Sequence, residues 1–295
     1  MTERHELLNR PWVWKLSFDE AVERQGPETD RKYRNSVTLN QRIDHFRSKL
    51  DLVIWHHLGL GDVPDIERHV DHGVDLAIDY FWSDWWTAEG LDRLMPLELK
   101  QELGFDRPGD ARDNFLNGNA CAVNKQHPER SLKWLVPLQA GLLLGGLAGR
   151  WADVAKVCSW FDPTIEPEYS AGIVEEELFL WYVGVACQLK PESDDDVEPL
   201  FERVRTARRK RPRLLMAAWE AVMTTDQDAF DKAFPASVKH FVSGADKKTK
   251  IAREWVALDQ SIVWLVAEQR GLRLPALSPK CAAAVITRQS ISTAS

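Results

Sequence analysis

Residues 217–234 read AAWEAVMTTDQDAFDKAF, a stretch that indicates two helices joined by a short polar turn. Apolar residues recur at helical spacing before the turn, at Leu215, Ala218, Trp219 and Val222, and again after it, at Phe230, Phe234, Val238 and Phe241. Asp226 precedes the second segment and can cap a helix there, because its carboxylate can accept a hydrogen bond from a first-turn amide. So short a connection predicts an antiparallel helical hairpin.

The same helical period governs the rest of the chain. Apolar residues recur at steps of three and four along residues 39–54, and the pattern continues along residues 64–86. Further helices are predicted at residues 129–147, 151–161, 171–189 and 251–265. No segment shows the continuous alternation of a half-buried strand. The sequence therefore predicts an all-α fold of about a dozen helices, packed as antiparallel hairpins.

The order of these hairpins indicates how the chain is organised. From about residue 129 they follow one another as in a solenoid. No clean repeat of about 34 residues with the tetratricopeptide signature is present, so we expect a degenerate, tetratricopeptide-like stack. Nothing resembles a flexible linker, and we expect one all-helical domain over residues 1–295 with an internal joint near 161–172. The last segment, RQSISTAS at 288–295, is expected to be frayed.

Composition restricts the class of partner. The 295 residues are 44% hydrophobic, which is enough for a sizeable core, and the net charge of −7 disfavours binding to nucleic-acid phosphates. The same charge suits a basic protein partner. The amino-terminal residues are charged rather than apolar, and the longest uncharged stretch, residues 134–149, is too short to span a bilayer. The four cysteines form no CxxC pair, so we expect a reduced, cytoplasmic protein. From the net charge and the short apolar stretch, we expect it to bind neither nucleic acid nor membrane.

One aspartate-rich helix offers a metal-site alternative. Within ERHVDHGVDLAIDYFWSDWW, residues 67–86, Asp71 and Asp75 share a helix face and His72 lies beside them. Carboxylates and imidazole bind divalent cations, so a metal-dependent all-helical enzyme is one interpretation. A solvated helix face carries aspartates as well, and no convincing second metal-binding motif accompanies this one. No glycine-rich phosphate loop, GxSxG or HExxH occurs either, so we expect no metal, no cofactor and no catalysis.

Tryptophan is unusually frequent, with 13 in the chain, and most of the indoles fall on apolar stripes typical of a core. Trp82, Trp85 and Trp86 differ, because three indoles within five residues cannot all point one way. Trp85 continues the buried stripe, and Trp86 diverges from it by about 100° around the helix. We therefore predict that Trp86, with Trp82 and Asp84, forms a partner-binding patch that suits lysine or arginine.

A charged pair of segments has a simpler interpretation. The basic run RTARRKRPR, residues 205–213, follows a helix that begins near the acidic run ESDDDVE, residues 192–198. Anions at the start of a helix and cations at its end complement the helix dipole. We therefore expect these runs to stabilise the helix rather than to bind phosphate.

Three stretches of the second half carry a family resemblance: GRWADVAKV at 149–157, the hairpin at 217–234, and ALDQSIVWLVAEQRGLRLP at 257–275. In these stretches the chain resembles the immunity-protein 49 family of bacterial polymorphic-toxin systems. The resemblance implies an all-helical cytosolic protein that binds and neutralises a cognate toxin. A general helical-repeat adaptor is the other binding function that these packing patterns allow.

Overall fold

The computed structural model describes residues 4–8, 39–61, 63–89, 130–159, 176–191, 196–245 and 252–292. For His5 and for residues 39–47, 79–89 and 130–137 it describes the backbone alone. The helices are α1 Arg4–Leu7, α2 Leu39–Leu58, α3 Ile66–Glu89, α4 Arg130–Ala148, α5 Trp151–Ser159, α6 Glu176–Leu189, α7 Glu198–Arg205, α8 Lys210–Met223, α9 Gln227–Gly244, α10 Leu258–Gln269, α11 Pro279–Ala284 and α12 Arg288–Ile291. No strand occurs in this part of the chain, so the predicted all-α fold class is confirmed for it. The joint predicted near 161–172 lies outside it.

The predicted hairpin is formed by α8 and α9, which pack closely along their lengths. Asp226 caps α9 as expected, because its carboxylate accepts a hydrogen bond from the Ala229 amide at 3.0 Å. Trp219 on α8 and Phe230 on α9 are fully buried. The local pattern therefore predicted this hairpin correctly.

Glycines allow the first long helices to approach one another. α3 packs on α2, on α4 and on α5. A β-carbon at Gly73 of α3 would lie only 2.6 Å from Leu144 Cδ1 of α4, and one at Gly146 would lie 3.0 Å from Leu265 of α10. The glycine-rich segment of α4 therefore sits between neighbours on several sides, as a buried helix should.

The second half combines packing between consecutive helices with contacts between helices that are distant in sequence. α6 packs on α7, α7 on α8, and α8 on α9, whereas α10 packs on α4 as well as α8. α10 is buried from Leu258 to Ala267 and lies at the centre of one apolar core that includes residues from both halves. The expected helix over residues 251–265 is wrong in one respect: a short 3-10 helix, Ala252–Trp255, precedes α10. The chain breaks there because the Ala257 amide donates to Ala284 O at 2.7 Å instead of continuing the helix.

The carboxyl-terminal segment packs back on the first helices. α12 contacts α2, and α11 contacts α1. The fraying expected for residues 288–295 is wrong for Arg288–Ile291, where Thr287 and Ser290 form a capping box. Fully buried His57 of α2 holds this segment, since its Nε2 donates to Ala283 O at 2.9 Å and its Nδ1 lies 2.8 Å from Ser290 Oγ.

Candidate partner-binding groove

The tryptophan patch predicted from the sequence lies at the end of α3. Trp82, Asp84 and Trp86 belong to the final turns of this helix, of which only the backbone is described. Their side chains lie outside the described residues, so this patch stays a prediction.

The aspartates of the metal alternative are paired with an arginine. Arg150 Nη2 donates to Asp75 Oδ1 at 2.7 Å, and Arg150 Nη1 donates to the carbonyl oxygen of Asp71 at 3.1 Å. Asp71 is exposed, whereas the neighbouring His72 is only 8% exposed. Across the residues that the structure describes, no group of three or more His, Cys, Asp and Glu side chains is placed to hold a metal ion. Arg150 instead ties α3 to the start of α5.

A different region of the surface contains a groove of about 450 Å³ between the end of α6, α7 and α8. Its floor is apolar: Phe201, Met216 and Trp219 are buried, and Val197 and Met223 are half-buried. The remaining lining residues are polar, namely Gln188, Asp196, Glu198, Arg205, Glu220 and Thr224. The groove therefore joins an apolar surface to a charged edge.

The floor is held in place by close packing beneath it. Phe201 of α7 lies against Gly184 of α6, where a β-carbon would come within 2.6 Å of Phe201 Cζ. Trp219 packs edge-on against Trp181, with 5.9 Å between the ring centroids. Its indole nitrogen donates to Gln188 Oε1 at 2.6 Å. The floor is thus preformed, and the Trp219 donor is already used.

Arg205 organises the charged edge. Its Nε lies 2.5 Å from Glu220 Oε1, and its Nη1 lies 2.5 Å from Glu198 Oε1 and 3.2 Å from Glu202 Oε2. The hydrogen bond to Glu198, followed by that to Glu220, raises the pKa of Arg205, and the same guanidinium lowers the pKa of Glu198. The single guanidinium of Arg205 therefore forms ion pairs with three glutamates.

The sequence interpretation of the two charged runs was only partly correct. Glu198 stands in the first turn of α7 and Arg205 in its last, as the dipole argument expects. The basic run does not end with that helix, because Lys210 begins α8. The cross-helix pair between Arg205 and Glu220, which brings α7 and α8 together at the groove, was missed. No local signal in either segment indicates that pair.

A second polar cluster, centred on buried Asp259, joins α4, α6, α8 and α10. Asp259 accepts hydrogen bonds from the Tyr182 hydroxyl, from Gln139 Nε2 at 2.9 Å and from Arg211 Nη2 at 2.6 Å. Burial, and then the charge of Asp259, raises the pKa of Tyr182 well above its ordinary value. These mutual bonds satisfy the Asp259 carboxylate inside the core. The cluster therefore links four helices.

The described cysteines are buried free thiols: Cys158, Cys187 and Cys281. Burial raises the pKa of the Cys158 thiol, and a thiol that stays protonated at neutral pH is a poor nucleophile.

Comparison with known proteins gave no match, whether to a protein family, to a curated protein or to a solved structure. Among the described helices, none combines the length and the apolar character needed to cross a membrane.

Proposed function

We propose that this chain is a noncatalytic helical protein that binds a partner protein. The observation that carries this proposal is the α6–α8 groove, in which an apolar floor lies beneath a carboxylate-rich edge. Apolar surface removed from water supplies binding free energy, and surrounding charges steer a partner of opposite sign. The net charge of −7 extends that preference for a basic partner to long range.

The family resemblance of residues 149–275 makes the proposal more specific. It supports an immunity protein that acts in the cytoplasm of a bacterium and neutralises a cognate toxin by direct binding. In this proposal, the sequential packing of α6, α7, α8 and α9 represents a degenerate, tetratricopeptide-like stack that presents the groove. A general helical-repeat adaptor would use the same groove without inhibiting its partner.

Two observations favour binding over catalysis. Asp71 and Asp75, two of the three ligands of the alternative metal-dependent enzyme beside His72, are engaged by Arg150. The contact between His57 and Ser290 has the residue types of a nucleophile and a base, but His57 is fully buried and its other nitrogen contacts Ala283 O. A catalytic pair must be accessible to its substrate, and the burial of His57 prevents that access.

The decisive experiment uses the carboxyl-terminal domain of a secreted protein encoded beside this chain. That domain is produced in a bacterial host with and without the chain, growth is recorded, and binding of the two purified proteins is measured by calorimetry. We expect growth arrest by the domain alone, rescue by the chain, and a stoichiometric complex. Binding without rescue would favour the adaptor. Absence of both, or absence of any such secreted protein beside the gene, would refute the immunity function.

A further inference from the structure

We infer that the α6–α8 groove binds a lysine or arginine side chain of a partner protein, with the aliphatic stem on the apolar floor and the cationic head at the carboxylate edge. This inference rests on the proposed function, since it names the chemistry that a protein partner presents to the groove. In this inference, Arg205 competes with the partner's lysine or arginine for the carboxylates of the edge.

Among the described residues that line the groove, carboxylates outnumber cations. Asp196, Glu198 and Glu220 line the groove. Glu198, Glu202 and Glu220 share the guanidinium of Arg205, and Asp196 adds a carboxylate that accepts from the Glu198 amide at 3.1 Å. The exposed residues Arg208, Arg209 and Lys210 follow in the chain and do not line the groove. The edge therefore carries surplus negative charge, and an incoming cation gains partners there.

The ion pair between Arg205 and Glu198 at the edge is accessible to solvent and to another cation. Glu198 is 66% exposed and Arg205 is 32% exposed, so their pairing is open to water. Ion pairs in such positions contribute little to stability, because solvent screens them and side-chain ordering opposes them. A partner cation can therefore take over one of these carboxylates at little cost to the fold.

The groove matches a side chain that is apolar along its length and charged at its end. The floor presents apolar side chains, and the Trp219 nitrogen that could bind a polar group is bonded to Gln188. Acceptors for a cation lie at the edge. Lysine and arginine combine an apolar stem with a charged head, and they bury the first while keeping the second at a polar boundary. Half-buried Met223 adds a flexible side chain that can adapt to the shape of a neighbour.

A peptide pair tests this recognition directly. One short fluorescent peptide carries lysine and leucine at helical spacing, and its match carries norleucine in place of each lysine, which keeps the stem and removes the head. Fluorescence anisotropy measures the dissociation constant of each with the full chain. We expect the lysine peptide to bind and the norleucine peptide to bind at least tenfold more weakly.

Variants then locate the site. Glu198→Gln combined with Glu220→Gln should raise the dissociation constant of the lysine peptide roughly tenfold. Met223→Ala should weaken both peptides, because it removes apolar floor. Matched controls lie outside the lining of the groove: Glu254→Gln changes an exposed carboxylate, and Leu274→Ala changes an exposed apolar side chain, and neither should alter binding.

Three results would overturn the inference. Equal binding of the two peptides would remove the role of the cation, and unchanged binding by the double glutamate variant would place the peptide elsewhere. A dimer seen by sedimentation and lost in that variant would make a second copy of this chain the occupant. A negative peptide result would not contradict the toxin-rescue experiment, and a failed rescue would not contradict the peptide measurements. The two proposals can therefore be refuted separately.

Discussion

Replacing Gly184 with alanine tests whether α7 is seated on α6, the contact that forms the groove floor. A β-carbon at position 184 would lie 2.6 Å from Phe201 Cζ and 3.0 Å from its Cδ1. Phe201 is almost fully buried, so its ring cannot move aside without disturbing its neighbours. In an exposed helix the same change would stabilise by about 1 kcal/mol, because alanine has the higher helix propensity. Overpacking a core opposes that gain with about 1–3 kcal/mol.

The clash with a buried ring places the cost of overpacking in the upper part of that range, about 2–3 kcal/mol. We therefore expect Gly184→Ala to lower the free energy of unfolding by about 1–2 kcal/mol. Gly244 of α9 provides a matched control, since a β-carbon there meets nothing within 4 Å. Gly244→Ala should leave stability unchanged or raise it by up to about 1 kcal/mol. Urea unfolding of both variants gives the comparison. Because Phe201 lines the groove, disturbing its packing should also weaken binding of the lysine peptide, and Gly244→Ala should not.

A compensating change separates this clash from a general loss of packing. Phe201→Leu shortens the side chain that the new methyl group meets, so the double variant should be more stable than the sum of the two single effects. A Gly184→Ala protein as stable as the Gly244→Ala protein would refute the packing of α7 on α6. The groove would then lose its floor, and the inference drawn from it would fall as well.

Three further predictions address acid stability, capping and the tryptophan patch. Burial lowers the pKa of His57 from 6.5 to about 3. Between pH 6.5 and pH 3, the unfolded chain therefore binds a proton at this histidine more readily than the folded chain does. The free energy of unfolding consequently falls as the pH drops below 6.5. This group should remove about 2 kcal/mol between pH 6.5 and about 5 in urea unfolding, and an equal pH slope in His57→Gln would contradict it. Asp226→Ala should lower the free energy of unfolding by about 1 kcal/mol, measured as a lower urea midpoint, because α9 loses its cap. An unchanged midpoint would show that this cap is absent in solution. Trp86→Ala should weaken calorimetric binding of the toxin domain by about 2 kcal/mol with an unchanged melting temperature, whereas a large fall in that temperature would show the indole to be core.

Helices with signals close in sequence were predictable. The hairpin of α8 and α9 follows from apolar spacing and from Asp226, whose bond to Ala229 spans three residues. Gly271 ends the pattern of α10 and has a φ of +83°, a conformation that glycine adopts without strain. Period and caps act over one or two turns, so a single sequence contains them in full.

Features created by distant partners were not predictable. The helical pattern runs on through residues 251–265, yet the break before α10 depends on Ala284 accepting from Ala257. The polar residues after Thr287 resemble a frayed end, yet Ser290 contacts His57, which lies 233 positions earlier in the chain. In both places a tertiary hydrogen bond replaces the structure that local propensity favours.

The candidate groove shows the same division within one site. The charges of α7 were visible in the sequence, and the dipole argument explains Glu198 and Arg205 as long as the helix is considered alone. Glu220 changes their meaning, because it comes from α8 and gives Arg205 a partner across the groove. Gly184 adds the floor, since only a residue without a side chain lets Phe201 settle on α6. The charges that stabilise α7 as an isolated helix thus form an acidic edge above an apolar surface once α6, α7 and α8 pack together. A surface of this kind is complementary to a basic side chain.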